Sequence, residues 1–239
     1  MKTLILIPAR MASTRLPNKP LAIIAGKPMI QRVWEQAKLS NIGDVVVACS
    51  EKEVFDLIKS IGGNAILTNP NIPSGTDRIF QATMSIENMD QYESIINLQG
   101  DLPLINPKDI KKVNIPIEQG FDIGTLVTDL TSEQQKDINV TKVKVKWIKK
   151  NNIGEAFDFY KTIVDEKKNE YHHVGIYSFR YESLKKFTSM LPSKNEIYHK
   201  LEQWRALDNK MTIGTSYVKD VPISVDTKED LIKVENIIK

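Results

Sequence analysis

Cysteine is almost missing from this chain of 239 residues, where Cys49 stands alone. That excludes an intramolecular disulfide and leaves any cysteine–metal cluster short of ligands. Cys49 closes the apolar run that begins at Val45 and reads as a small core residue, with no evident partner to activate it as a nucleophile. Histidine is nearly as scarce. His172, His173 and His199 are the full set, and with no cysteine nearby they make a poor zinc site. No apolar run approaches the length of a membrane span, and no signal segment is read ahead of the first strand, so the cytoplasm is the expected compartment. A surplus of one charge is lacking too. The 33 basic residues against 30 acidic ones leave a net +3, and the cations are spread along the chain, which argues against a dedicated nucleic-acid binder. There is no repeat and no low-complexity tract. Neither glycine-rich phosphate loop, G-x-x-x-x-G-K-[ST] or G-x-G-x-x-G, follows the first strand.

What does follow that strand is a cationic loop. The apolar run Leu4 to Ile7 is cut by Pro8, and Arg10, Ser13, Arg15 and Lys19 come next, stiffened by Pro17 and Pro20. Three cations behind a buried strand suit a polyanion, because open α/β sheets bind ligands at the C-terminal ends of their strands. Arg10, Ser13 and Lys19, with Arg15 beside them, are the expected triphosphate contacts; a solvated basic loop is the plainer alternative.

The remaining pattern alternates apolar runs with helical stretches. Strands are expected at Val45 to Cys49, Ala65 to Thr68 and Ser94 to Leu98. Helices are expected at Ile30 to Leu39, Glu51 to Ile61 (stopped by Gly62-Gly63), from Thr76, and at Pro107 to Gln119. This rhythm implies an α/β fold with a mostly parallel sheet flanked by helices. The second half is less regular. It offers strands near Val140 to Trp147, Val174 to Phe179 and Met211 to Tyr217. Its helices fall at Ser183 to Met190, Glu196 to Leu207 and from Lys228, with a short strand, Ile223 to Val225, before the last.

Two carboxylates follow strands, Asp101 after Leu98 and Asp226 after Val225. Beside a triphosphate such a pair suggests Mg²⁺, which takes one or two carboxylates plus phosphate oxygens and waters. The plainer readings are a turn residue for Asp101 and a helix N-cap for Asp226. Ser74, just before a helix, is placed to cap it. Arg78 sits in a first helical turn, against the macrodipole preference, and an anionic guest such as a sugar-acid carboxylate explains it better.

Five segments in order carry a resemblance. They are Leu6-Ile-Pro-Ala-Arg10-x-x-Ser13-Thr-Arg15-Leu-Pro-x-Lys19-Pro-Leu21, Ser74-Gly-Thr-Asp-Arg78, Gln99-Gly-Asp101-x-Pro103, His173-x-Gly-Ile-Tyr177 with Leu201-Glu-Gln-x-Arg205, and Val225-Asp226-Thr-x-Glu-Asp-Leu231. Together they span nearly the whole chain, which resembles the 3-deoxy-D-manno-octulosonate (Kdo) cytidylyltransferases, the CMP-Kdo synthetases. The resemblance implies a Rossmann-like core of the nucleotide-diphospho-sugar transferase type with a small acceptor and dimerisation lobe. It implies one cytidylyltransferase domain over 1–239, with a nucleotide half at about 1–120 and an acceptor and dimerisation part at about 121–220. It further implies transfer of CMP from CTP to the C2 hydroxyl of Kdo with loss of pyrophosphate, for lipopolysaccharide biosynthesis, in a homodimer.

The residue roles follow from the matched positions. Arg10, Lys19, Asp101 and Asp226 are the catalytic set, with Mg²⁺ on the two aspartates. Ser74 and Gly75 join the CTP contacts. Arg78, Gln99, His173, Tyr177, Glu202 and Gln203 face the acceptor sugar, although Glu202 and Gln203 also read as ordinary polar positions of a helix. Departures fall on the acceptor side. Leu102 stands where the family commonly has Glu, Lys161 where it has Arg, and the stretch Val164 to Tyr171 replaces a longer insertion. They leave 8-amino-Kdo, or another 2-keto-3-deoxy sugar acid, open as acceptor. The rivals are a UDP- or GDP-sugar enzyme, which usually has a glycine-rich first loop, and a non-catalytic nucleotide sensor, which would not need both aspartates and Lys19.

Overall fold

The computed structural model describes residues 1–149, 152–162 and 169–239. Residues 164–168 of the shortened Val164 to Tyr171 stretch therefore lie outside the described residues. The chain forms two compact units, Met1–Lys111 with Pro222–Lys239, and Lys112–Val221.

The first unit opens with β1 (Thr3–Ala9), in which Leu4 to Ile7 are fully buried, as a strand covered on both faces must be. After the cationic loop, β2 (Ile23–Ile24) and β3 (Lys27–Pro28) make a small hairpin that leads into α1 (Met29–Ser40). Then come β4 (Gly43–Cys49), α2 (Lys52–Ser60), β5 (Asn64–Leu67), α3 (Gly75–Thr83), β6 (Ser94–Asn97) and α4 (Pro107–Lys112). The strands lie in the order β5-β4-β1-β6, every pair parallel. All four C-terminal ends thus share one edge.

The second unit is different. It holds α5 (Ile115–Glu118), β7 (Ile123–Thr128), α6 (Ser132–Lys136), β8 (Lys142–Lys149), β9 (Ile153–Tyr160), β10 (Glu170–Phe179), α7 (Tyr181–Ser189), α8 (Lys194–His199), α9 (Gln203–Asp208) and β11 (Ile213–Tyr217). Only β7 and β11 pair in parallel; β10–β7, β10–β8, β11–β9 and β8–β9 are antiparallel. The chain then returns to the first unit and ends in α10 (Lys228–Ile238). No helix among the described residues is long and apolar enough to cross a membrane.

Three expected elements need correction. The helix over Pro107 to Gln119 is two helices, because Pro116 has no N–H to give to the preceding turn and instead sits in the first turn of α5. The helix over Glu196 to Leu207 is also two. Lys200 turns left-handed (φ 55°), which ends α8 and sends Leu201 into the core. Ile223 to Val225 is no strand. Val225 donates one backbone bond to Asp101 O (2.9 Å), and both side chains pack with Leu16, Ile24, Met29 and Val234. Strands β7 and β9 and helix α6 were absent from the sequence expectation.

Candidate active site

At the shared strand edge of the first unit lies a cleft of about 400 Å³. Its walls include Arg10, Ser13, Arg15, Lys19, Ser74, Gly75, Arg78, Gln99, Asp101 and Asp226. Every residue expected to serve the triphosphate and the metal is here, together with two of the expected acceptor residues.

The backbone explains the convergence. Beyond β1 the cationic loop is pinned by Glu51, whose carboxylate accepts from the Met11 amide (3.1 Å) and the Ser50 hydroxyl (2.8 Å). Ser13 Oγ accepts from Leu16 N at 3.4 Å, and Leu16 is buried. Asn18 takes the left-handed conformation and starts a short 3₁₀ turn over Lys19–Leu21, with Pro20 buried beneath it. This turn aims Lys19 across the cleft. On the opposite wall, a Cβ on Gly100 would lie 2.7 Å from Pro8 O, so only glycine lets the loop before Asp101 approach β1 so closely. The backbone bond from Val225 to Asp101 then brings in Asp226.

Lys19 Nζ donates to Asp101 Oδ2 at 2.7 Å and to Asp226 Oδ1 at 2.8 Å. Arg15 reaches the other oxygen of Asp226 at 3.2 Å. Burial alone would lower the Lys19 pKa, yet the two carboxylates, Asp101 foremost, outweigh it and hold the ammonium above the ordinary lysine value. Asp226 is not the cap of the last helix. Thr227 is, in a capping box with Asp230, and this frees the Asp226 carboxylate for the cleft. Asp101 does sit in a turn, but its carboxylate is spent on Lys19. Among the described residues no three His, Cys, Asp or Glu side chains group to hold a metal. Two carboxylates aimed at one cation do fit Mg²⁺, because a triphosphate and waters complete its shell.

The other cations differ. Arg10 is exposed and makes no hydrogen bond or ion pair among the described residues, so its guanidinium is available to a ligand. Arg78 is only 2% exposed and is partly committed. Its Nη1 donates to Thr68 Oγ1 (2.6 Å) and Asn69 O (3.2 Å), which ties α3 to the loop after β5, while its buried Nη2 has no partner. Burial pulls its pKa down, Glu51 opposes this, and Arg10 adds to it. Ser74 caps α3 by accepting from Asp77 N (3.1 Å). Gln99 donates to Asn97 Oδ1 (3.2 Å), and buried Asn97 donates in turn to Thr76. Cys49 is fully buried and its pKa is pushed up to about 12 by desolvation and by Glu51, which retires it as a nucleophile.

Of the residues expected at the acceptor from the second unit, His173 and Gln203 are buried within it, and Tyr177 and Glu202 are half-buried. His173 is 6% exposed, bonds Thr125 Oγ1 at 2.9 Å, and packs its ring against Phe159 and Tyr177. Burial, with His172 nearby, pushes its pKa down to about 3, so it is neutral. Thr125 also reaches the Ile176 carbonyl (2.9 Å). A hydroxyl that donates there accepts from the imidazole N–H. Gln203 is buried and donates from Nε2 to Tyr177 OH, leaving its buried Oε1 without a partner. Burial, with Glu202 nearby, raises the Tyr177 pKa. Glu202 is half-buried at the start of α9. The departures from the family pattern are structural here: Leu102 is a core residue, and Lys161 is half-buried while its carbonyl accepts from Lys142.

Sequence reasoning passed over Glu51, Thr68 and Asn97, which carry no ligand-type signature. Only the place of Glu51, polar and immediately beyond a buried strand, marks it as a residue of the edge.

A family model described as cytidylyltransferase matches residues 4–213. The chain belongs to the cytidylyltransferase family. Asp226 lies beyond the matched span. The 3-deoxy-manno-octulosonate cytidylyltransferase of Paramagnetospirillum magneticum is 43% identical over 99% of this chain and 97% of that relative. The protein of that name from Parvibaculum lavamentivorans is 42% identical over 96% and 90%. Among solved structures, a CMP:2-keto-3-deoxy-manno-octonic acid synthetase complexed with CTP is 32% identical, with TM-score 0.90 over 100% of this chain and 98% of that one. A UDP-glucose pyrophosphorylase, 16% identical with TM-score 0.70 over 100% and 98%, shares the cytidylyltransferase fold.

Proposed function

We propose that this cytidylyltransferase moves CMP from CTP to Kdo, giving CMP-Kdo and pyrophosphate. The observation that carries the reading is the meeting of Asp101 and Asp226 on Lys19, in the cleft that Arg10 also enters. Relatives and a CTP-bound structure named for this chemistry, matched along nearly the whole chain, support it. The triphosphate lies along Arg10, Ser13, Arg15 and Lys19, with the Ser74 and Gly75 turn beside the nucleoside. The C2 hydroxyl of the sugar forms the new bond to the α-phosphorus, and the α–β phosphoanhydride bond breaks.

Arg10 meets the phosphates with a fork that no carboxylate among the described residues claims. Asp101 and Asp226 are the groups that would hold Mg²⁺, which supplies charge neutralisation at the reacting phosphate and orientation of the nucleophile. For the acceptor sugar, the resemblance names Arg78 and Gln99 in the first unit's cleft and, within the second unit, His173, Tyr177, Glu202 and Gln203. His173 serves as a neutral hydrogen-bonding group rather than as a cation. A homodimer, a cytoplasmic setting and a role in lipopolysaccharide biosynthesis complete the reading, on the resemblance alone.

A pyrophosphate-release assay over CTP, UTP and GTP, each with Kdo and with 8-amino-Kdo, tests it. Release with CTP and Kdo is expected to exceed every other pair. Faster release with another nucleotide overturns the cytidylyl reading, and faster release with 8-amino-Kdo moves the acceptor.

A further inference from the structure

The position that a metal would take between Asp101 and Asp226 already holds a positive charge. Lys19 Nζ is within 2.8 Å of an oxygen from each carboxylate, and its side chain is only 16% exposed. A divalent cation bound to both carboxylates would sit about 2.1 Å from its oxygens. The ammonium and the metal therefore cannot share the place, and metal entry must push Lys19 into the cleft. The cleft is poor ground for another cation, because Arg10, Arg15 and Arg78 line it already and Arg15 is itself drawn to Asp226. Moving an ammonium from two carboxylates toward three guanidinium groups is unfavourable in a partly desolvated site. A triphosphate changes this balance, since its oxygens give the displaced ammonium new partners and complete the metal shell.

We propose that Lys19 is a built-in cation that guards the Asp101–Asp226 pair, so that the site takes divalent metal together with triphosphate and rejects the metal alone. The proposal rests on the reading of Asp101 and Asp226 as the metal carboxylates. It gives Lys19 two successive partners, the carboxylates first and the phosphates afterwards. The metal–nucleotide complex, not the free ion, is then the species that loads.

The test is Mn²⁺ binding, read from the electron paramagnetic resonance signal of the free ion, with and without α,β-methylene-CTP. The proteins are the wild type, Lys19→Met, Lys19→Gln and the double variant Lys19→Met/Asp101→Asn. Lys19→Gln keeps a donor toward the carboxylates, so the test does not depend on Lys19→Met folding. Wild type is expected to bind Mn²⁺ weakly alone and about tenfold or more tightly with the nucleotide analogue. Either single variant is expected to bind nucleotide-free Mn²⁺ about tenfold or more tightly than wild type. The double variant is expected to lose that gain. If the single variants melt like wild type and bind nucleotide-free Mn²⁺ no better, the guarding role is overturned while the metal reading stands. A gain that survives in the double variant places the ion elsewhere and also overturns it. If no form takes up Mn²⁺ with or without the analogue, the metal reading falls and the role of Lys19 with it.

Discussion

The two units organise their polar residues in opposite ways. In the first, the working groups are partly exposed and hold one another by charge across long stretches of chain. Lys19 meets Asp101 and Asp226 from 82 and 207 positions away. In the second, buried His173 and Gln203 and half-buried Tyr177 hold one another by hydrogen bonds and ring contacts, the histidine kept neutral. A cleft built on ion pairs is open to rearrangement by a charged ligand, which exchanges one set of partners for another. A polar cluster built on burial changes only at the cost of core packing. The difference matches the division of labour proposed here, with a polyphosphate and metal at the charged edge and a hydroxylated sugar acid read by neutral donors.

The sharpest way to break this comparison is to remove charge from the edge. Asp101→Asn and Asp226→Asn keep size and hydrogen-bonding capacity but lose the anion. Each is expected to lower kcat by about two to three decades at saturating Mg²⁺, the scale of lost electrostatic stabilisation at a reacting phosphate. Circular dichroism should show an unchanged fold, since both side chains keep substantial exposure. Near wild-type pyrophosphate release from either variant removes that aspartate from the site.

Next in size is Arg10→Ala. Arg10 has no partner to lose among the described residues, so the Tm should not move, while CTP affinity by calorimetry should fall by about 1.5–3 kcal/mol, or one to two decades. A lowered Tm with unchanged CTP affinity would return Arg10 to the scaffold.

These contrasts also show what could be read from sequence. The parallel edge was legible because β1 and β4 hold continuous apolar runs closed by Pro8 and Cys49, and because Ile95, Ile96 and Leu98 mark β6 before the Gln99-Gly100 turn. The loop cations and the two aspartates were legible because charge directly after a buried strand has few other reasons to be there. The second unit hid itself. In β7 the buried Gly124, Thr125 and Thr128 interrupt the apolar pattern, because Thr125 is needed to hold His173. In β9 the residues Glu155, Phe157 and Asp158 break up the buried positions, so the strand resembles a loop. The pairing of Lys19 with both aspartates was out of reach, since Asp226 arrives through a backbone bond from Val225 in a segment that is not a strand.

The buried region has its own test, smaller in size and read by pH. The His173 pKa is about 3 in the folded protein, against an ordinary value near 6.5 when unfolded. The unfolded chain therefore binds the proton more readily. The neutral ring's contribution is fully present above about pH 6.5 and is lost as pH falls toward 3. Between pH 7 and 5 the loss amounts to about 2 kcal/mol from this group. His172, lowered by burial and by Lys142, acts in the same direction. His173→Gln removes the first contribution, so the variant's stability should fall less steeply over that range in urea titrations. Parallel pH profiles for the two proteins would mean that His173 is not held neutral by burial, and the contrast between the units would weaken.

The smallest expected effect asks whether the charged edge is held by its ion pairs or by its backbone. Asp226 is tethered from both sides. Its carboxylate meets Lys19 and Arg15, while its amide donates to Asp230 Oδ2 at 3.2 Å, the same oxygen that accepts from the Thr227 amide at 3.1 Å and hydroxyl at 2.9 Å. Thr227→Ala deletes the hydroxyl that caps α10 and one of the donors that fix Asp230. The loss of an N-cap of this kind costs about 1 kcal/mol, seen as a modest drop in Tm. If the backbone sets the position of Asp226, Mn²⁺ affinity in the presence of α,β-methylene-CTP should weaken by a few-fold alongside the drop in Tm. If Tm falls while Mn²⁺ binding holds, the α10 cap is not what places the Asp226 carboxylate, and the edge does not rest on that part of its backbone.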